Sequence, residues 1–447
     1  MINLPAAIIQ ELQNNNIVDV EQLQKAHLED AITSVRINSK KCTSQFSNQA
    51  KVPWADHAFY LADRPFFAHD PLWHAGAYYV QEASSMFLEY AFKQCVNLSE
   101  DIKVLDLCAA PGGKSTLVAD IISENSLLIS NEVIGTRVAP LAENMMKWGR
   151  CNTWVSNNDP KQFTKLENYF DVILVDAPCS GSGLFRKDEN YIAEWTAANV
   201  HLCAQRQQRI LHDVMPALKP NGILIYMTCS FSTAENEDIC DEIVEQFSAE
   251  SISLEVPTDW GILKTISKKK QASAYRFFPN LLQGEGFFLA CFRKMDDVDN
   301  APDLKYFKKE KTDFNWLGKY VNLNNKTVIQ EKELLFAMPN NYLDDYLYLS
   351  KNIKLVRKGT LLGKAIKQEL IPEHDLAVSV HCAYQNTCEV TLTQALNYLK
   401  KIDFTLPEDC PKGWVILQYN YCNIGWIKNM GNRWNNYFPM HLRIRKM

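Results

Sequence analysis

The 447-residue chain contains no CxxC pair, no leader-like basic start, and no window approaching roughly twenty consecutive apolar residues. Each absence removes a class of protein. Thirteen cysteines, an odd number, are scattered from Cys42 to Cys422, so neither a zinc ribbon nor a disulfide framework is expected and the reducing cytoplasm fits best. The opening segment MINLPAAIIQELQNNN and the lack of long apolar runs argue against secretion and membrane spanning. No internal repeat of fixed period, low-complexity tract or metal-ligand cluster is present, so no metal is expected.

Hydrophobic residues at 47% and charged residues at 22% are instead the proportions of a folded globular protein. The length exceeds what one core organises, so several domains are expected. The net charge of −5 conceals an asymmetry. Residues 301–447 carry 21 Lys+Arg against 14 Asp+Glu, a balance of +7, which leaves 26 against 38, or −12, for residues 1–300. A basic C-terminal third is what polyanion binding requires, and an ordinary solvated face accounts for it equally well.

Apolar runs alternate with helical stretches from Ile102 onward: KVLDLC, a helix from Lys114, LLISNE, a helix over Val138–Trp148, FDVILVDAP and GILIYMTCS. This spacing predicts an α/β domain over residues 99–295, with a mainly parallel sheet whose ligand sits beyond the carboxyl ends of the strands. Residues 1–98 read as a small accessory region, with a helix at LPAAIIQELQ and a strand at Ser34–Asn38. The charged stretch from Lys294 to Lys311 reads as a linker. Beyond it, Asn352–Leu362 and Gly413–Asn435 are β-rich and turn-rich, giving two further small units, 296–380 (including the linker) and 381–447.

Val104–Leu107 is a strand that runs into Cys108, Ala109, Ala110, Pro111, Gly112, Gly113 and Lys114, a tight small-residue turn opening a helix. Small residues let a ligand lie against backbone, and a helix N-terminus offers unpaired amides to a carboxylate. The spacing is neither GxGxxG nor a phosphate loop, which favours an amino-acid-bearing nucleoside. The next strand ends at Glu132, suited to two ribose hydroxyls, and Asp159 follows a third strand-like piece, suited to an amino group. Each carboxylate alone reads more often as a cap or a solvated charge.

Two further strands end in Asp176-Ala177-Pro178-Cys179-Ser180 and Thr228-Cys229-Ser230. Most cytosolic cysteines are inert buried hydrophobes, but a thiol at a strand's carboxyl end is placed for chemistry. A thiolate that adds to C6 of a pyrimidine turns the unreactive C5 into an enamine-like carbon able to accept a methyl group. Asp176 is placed to donate near N3, and a second thiol is suited to help the first one leave.

With CAAPGGK, NE, DAPCSGSG and TCS in this order, the chain resembles the Nol/Nop/Sun family of RNA (cytosine-C5)-methyltransferases. The similarity extends to YVQEASSM at Tyr79–Met86, RKD at Arg186–Asp188, Arg276 with Pro279, and GEGFF at Gly284–Phe288. It implies a Rossmann-like S-adenosylmethionine-dependent domain, with Cys108 to Lys114, Glu132, Asp159 and Asp176 on the cofactor. It also implies Cys229 as the attacking thiol and Cys179 as the thiol that assists release. The resemblance further implies a PUA-like C-terminal extension and an N-terminal RNA-binding region, and it is strongest to bacterial members acting on the small ribosomal subunit. The expected partner is therefore a decoding-region cytosine of 16S rRNA, met by a monomeric enzyme in the cytoplasm. Asn280 stands where many members have histidine. Competing readings are a tRNA cytosine-C5 methyltransferase of the same family, a non-catalytic ribosome-assembly factor, and a small-molecule or protein methyltransferase. The last leaves the basic C-terminal third and the aromatic-rich GWIKNMGNRWNNYF unexplained, although those aromatics serve equally well as core.

Overall fold

The computed structural model describes residues 4–41, 45–188, 190–296, 304 and 314–445. Most of the stretch expected to be a linker, residues 294–311, lies outside the described residues. The central sheet has ten strands: β1 (Lys103–Asp106), β2 (Leu127–Asn131), β3 (Thr153–Ser156), β4 (Phe170–Asp176), β5 (Leu218–Thr228), β6 (Ala249–Ile252), β7 (Leu263–Ile266), β8 (Ser273–Phe277), β9 (Phe287–Lys294) and β10 (Leu355–Lys358). Their order is β7-β8-β9-β5-β4-β1-β2-β3-β10, with β6 also pairing with β9. The five central strands, β3-β2-β1-β4-β5, are parallel, and the later strands close both edges antiparallel.

The apolar runs are near-continuous because both faces of the sheet are covered. Val104 and Leu128 enter one core with Phe87, Leu117 and Val118, whereas their neighbours Leu105 and Ile129 enter the opposite core with Ile210, Leu211 and Val214. Successive side chains on a strand point to opposite faces, so each run feeds two helical layers. From β1 the chain winds outward to β2 and β3, then returns to β4 on the other side of β1. Such a reversal opens a crevice beyond the carboxyl end of β1, where a ligand fits.

The flanking regions are built onto this sheet. Helices Ala6–Asn14 and Val20–Ala26, the second capped by Asp19 accepting from the amides of Glu21 and Gln22, bury Ile8, Leu12 and Leu23 against Phe231 and Phe278. A three-stranded antiparallel sheet, Ala58–Leu61 with Thr33–Ile37 and Tyr78–Val80, shares one core with the C-terminal sheet Thr387–Glu389, Gly413–Tyr419, Cys422–Asn429 and Trp434–Asn436. Between these regions, β10 adds to the edge of the central sheet, and a second four-stranded sheet spans Lys326 to Pro372. The C-terminal aromatics are largely packing residues. Trp426 is fully buried, Phe438 nearly so, and Trp434 donates its indole N–H to the Phe404 carbonyl at 3.1 Å, while Tyr437 is partly exposed. Among the described residues no helix is long and apolar enough to cross a membrane, and no group of three or more His, Cys, Asp or Glu is placed to hold a metal ion.

Candidate active site

β1 ends at Asp106, and the chain turns through Gly112 into the helix Gly113–Ile121. Gly112 has φ +114°, a conformation that side chains rarely adopt, and a Cβ there would meet Leu141 at 3.3 Å. The turn therefore closes tightly and leaves the helix N-terminus at the wall of a cleft of about 280 Å³. Cys108, Ala109, Ala110, Pro111, Gly113, Lys114, Asp176 and Cys229 all line this cleft. Glu132 is buried at the end of β2, and its neighbour Arg137 reaches the Ala110 carbonyl at 2.6 Å, joining that strand end to the loop. Asp159 is not among the residues lining the cleft. It caps the turn Pro160–Lys165, accepting from the Lys161 amide at 3.0 Å.

Charge in the cleft is paired only in part. Lys114 Nζ lies 2.8 Å from Asp176 Oδ2; burial pulls against the ammonium, but Asp176 holds it above its ordinary range. Burial pushes Asp106 up to about 7, with the Ser115 hydroxyl, 2.6 Å from Oδ2, pulling it back and Asp176 adding to the rise. Among the described residues, two buried atoms of the cleft lining, Gln81 Nε2 and Asp106 Oδ1, have no hydrogen-bond partner, while Glu132, outside that lining, turns Oε2 toward Arg137 Nη1 at 3.5 Å. An unmatched buried polar group costs about 1–3 kcal/mol. The pair is chemically specific, because one carboxylate oxygen seeks a donor and one amide seeks an acceptor. An amino-acid-bearing nucleoside offers both, with its ammonium, ribose hydroxyls and carboxylate, so these residues fit S-adenosylmethionine.

The register of β4 and β5 brings the two thiols together. Asp176 lies opposite Met227, and the Ala177 amide continues the ladder to the Met227 carbonyl at 2.9 Å. Cys179 and Cys229 leave these strand ends side by side, with Sγ–Sγ 3.0 Å. The Cys179 thiol is held well above its ordinary value, first by its hydrogen bond to Cys229 and then by burial. Either sulfur can be the donor in that contact, and a thiol raised this far stays protonated at neutral pH. Cys108 is also pushed well above the ordinary thiol range by burial, with Asp176 and Asp106 adding to the effect, which makes it a protonated wall residue at neutral pH.

Several contributors carried no assigned role in the sequence. Gln81, Glu82 and Ser85 also line the cleft, so the N-terminal region is part of the site. Gln81 is oriented by buried Arg36, whose Nε donates to Gln81 Oε1 at 3.1 Å while its guanidinium pairs with Asp120 at 3.1 Å. Glu82 accepts from the amides of Ser84, Ser85 and Glu285. Arg186 makes a buried pair with Glu285 at 2.9 Å and also donates to the Gly284 carbonyl, pinning the GEGFF turn. For Gln81, Glu82, Ser85, Arg186 and Glu285 the only signal was membership of the YVQEASSM, RKD and GEGFF motifs, to none of which Arg36 belongs.

Three family models match the chain. The 16S rRNA methyltransferase RsmB/F model covers residues 93–293, the N-terminal domain of 16S rRNA methyltransferase RsmF covers 4–83, and the methyltransferase RsmF PUA domain covers 385–444. The chain is similar to the ribosomal RNA small subunit methyltransferase F of Aeromonas hydrophila, with 30% identity across 88% of this chain and 85% of the relative. It is likewise similar to that of Shewanella woodyi, with 29% identity across 92% and 90%. Among solved structures, a methyltransferase homologue from Pyrococcus horikoshii superposes with a TM-score of 0.53 at 26% identity, covering 65% of this chain and all of that one. NSun6 from the same organism, solved with SFG, gives a TM-score of 0.53 at 17% identity across 64% of this chain and 98% of its own.

Proposed function

The chain belongs to the RsmB/F family of 16S rRNA methyltransferases, and from that premise we propose that it methylates C5 of a decoding-region cytosine of 16S rRNA through a covalent Cys229–C6 adduct. It is an S-adenosylmethionine-dependent rRNA methyltransferase. The observation that carries the finer reading is the placement of Cys229 in the same cleft as the Cys108–Lys114 loop and Asp176, with Cys179 3.0 Å away. Bound S-adenosylmethionine supplies an electrophilic methyl group on a sulfonium.

The protein's own groups account for the remaining steps. Cys179 is assigned as the donor to Cys229, which attacks C6 as its thiolate while the C5=C6 π electrons shift to C5. Asp176, beside Lys114, donates a proton to N3 as negative charge develops there and takes it back when C5=C6 re-forms. C5 takes the methyl group as the methyl–sulfur bond breaks. A base then removes the C5 proton, C5=C6 re-forms and the Cys229–C6 bond breaks. Cys179 suits this last stage for an electrostatic reason. The largest cause of its raised pKa is the bond to Cys229, and once Cys229 is bonded to carbon that cause is gone, so the second thiol ionises more easily when a base is needed. Cofactor contacts are assigned to Cys108 through Lys114, Glu132, Asp159 and Asp176. RNA contacts are assigned to residues 1–98 and to the two C-terminal segments, 296–380 and 381–447. The working form is a cytoplasmic monomer acting on rRNA of the small subunit.

The test is methyl transfer from labelled S-adenosylmethionine to small subunits lacking the modification, to free 16S rRNA and to bulk tRNA. Label mapping to one cytosine of 16S rRNA is expected; label confined to tRNA overturns the substrate assignment. RNA affinity should fall about tenfold or more as salt rises from about 50 to about 200 mM, even if only two phosphates are contacted. A salt-independent Kd in filter binding would remove the phosphate contacts from this reading. Cofactor affinity should also depend on pH. A carboxyl at about 7 is half protonated near neutrality, and a cationic ligand beside it draws the proton off, so affinity rises with pH by about tenfold between pH 6 and 8. Calorimetry should show proton release on binding that disappears in Asp106→Asn; wild-type binding with no proton release would contradict the placement.

A further inference from the structure

The two thiols stand on separate loops, and a third buried group ties those loops together. Glu235 lies in the short turn Thr233–Glu235, is fully buried, and lies outside the cleft lining. Its Oε1 accepts from the Ser180 amide at 2.7 Å, and its Oε2 accepts from the hydroxyls of Ser180 at 2.6 Å and Ser230 at 2.5 Å. Ser180 directly follows Cys179, and Ser230 directly follows Cys229. One carboxylate thus holds the residues next to both thiols. The turn bearing Glu235 is itself fixed, since Tyr226 donates to the Glu235 carbonyl at 2.7 Å and Asn236 donates to the Ser230 carbonyl at 2.8 Å. From the N-terminal helix, Glu11 accepts from the Thr233 amide at 2.6 Å and from the Ser232 hydroxyl at 3.2 Å.

We propose that Glu235 is the positioning residue of the thiol pair, setting the separation and orientation at which Cys179 donates to Cys229. The inference rests on the covalent reading of Cys229 given above. Glu235 meets the Ser180 amide and the Ser180 and Ser230 hydroxyls as donors, with the Cys203 thiol also beside it, and two acceptor oxygens serve them together, whereas an amide keeps one acceptor oxygen and makes the hydroxyls turn round to accept from its NH₂. Burial raises the Glu235 carboxyl above its ordinary range, and the Ser180 and Ser230 donors draw it back. Its charge also contributes to the raised thiol of Cys179, behind the Cys229 hydrogen bond and burial. Glu235 therefore acts through the thiols without touching the nucleotide or cofactor.

Glu235→Gln, the pair Ser180→Ala/Ser230→Ala, and Cys229→Ala should be compared with the parent enzyme on rRNA. In the first two, kcat is expected to fall about tenfold or more, as small misplacements of reacting groups do, with KM for rRNA and S-adenosylmethionine unchanged. The pH profile of Cys229 alkylation by iodoacetamide, located by peptide mass, should have a midpoint displaced from that of the parent, because the contact between the two thiols is no longer held in place. That shift separates positioning from simple loss of structure, which lowers the active fraction without moving the midpoint. Parent-like kcat with an unmoved midpoint in both variants overturns the proposal, as does a fall in kcat that only tracks the folded fraction. Should Glu235→Gln not fold, the serine pair carries the test. Retained transfer by Cys229→Ala overturns the covalent reading itself, whereas an inactive Cys229→Ala beside a parent-like Glu235→Gln overturns only the role of Glu235.

Discussion

Cys229→Ala is expected to reduce methyl transfer to rRNA by at least about 10⁴-fold while leaving the affinities for S-adenosylmethionine and rRNA near those of the parent protein. A decrease of this size corresponds to about 5–6 kcal/mol of transition-state stabilisation, on the scale seen when a covalent nucleophile is removed. Alanine contributes nothing that can add to C6, so C5 remains too weakly nucleophilic to take the methyl group. The substitution should be mild structurally. Cys229 stands at the end of β5, whose ladder with β4 and β9 is made by backbone groups, and it lines the open cleft. Single-turnover transfer and cofactor titration on the same preparation check both halves of the expectation. Transfer within tenfold of the parent, with binding intact, would rule out Cys229 as the attacking group.

Cys179→Ala is expected to behave in the opposite way. The first methyl transfer should proceed, and the enzyme should then remain bonded to its product, visible as an RNA–protein band that survives denaturing electrophoresis. Multiple turnover should fall by about 10²- to 10⁴-fold, the usual contribution of a positioned acid or base. The asymmetry follows from the proton inventory of the pair. Cys179 holds its proton beside Cys229 before reaction, so it is poorly disposed to attack; after attack by Cys229 it is the thiol left free 3.0 Å away. The bond to break is the one between Cys229 and C6, and removing the neighbour should slow the elimination more than the addition. If Cys179→Ala is the inactive variant and Cys229→Ala the one that accumulates adduct, the two roles are exchanged.

The expectations drawn from the sequence rested on local rules, and they held where local rules govern. The apolar runs at Val104–Leu105, Leu127–Ile129 and Ile173–Val175 had to be strands covered on both faces, because a half-exposed strand alternates with polar residues and these do not. The turn Cys108–Gly113 had to open a helix, because small residues ending in two glycines suit a strand-to-helix turn that approaches a ligand. For the same reason the carboxyl ends of the strands were legible as the place for Asp176, Cys179 and Cys229.

Other features depended on long-range packing. Gln81, Glu82 and Ser85 enter the cleft from a different sheet, carried there by the pairing of Tyr78–Val80 with Thr33–Ile37, and no periodicity within residues 1–98 records that approach. Glu235 is one of six acidic residues between positions 235 and 245. Its full burial arises only when the two cysteine loops and the turn fold over it.

The sequence by itself thus determined the α/β class, the small-residue turn after β1 and the presence of two candidate thiols, since each depends on side-chain alternation, backbone freedom or residue chemistry within a few positions. The tertiary structure alone decided which residues face one another: the 3.0 Å approach of Cys179 to Cys229, the Glu235 clamp beneath them and the N-terminal wall of the cleft. Those contacts are set by strand register and by burial between segments far apart in the chain, quantities that no local stretch of residues encodes.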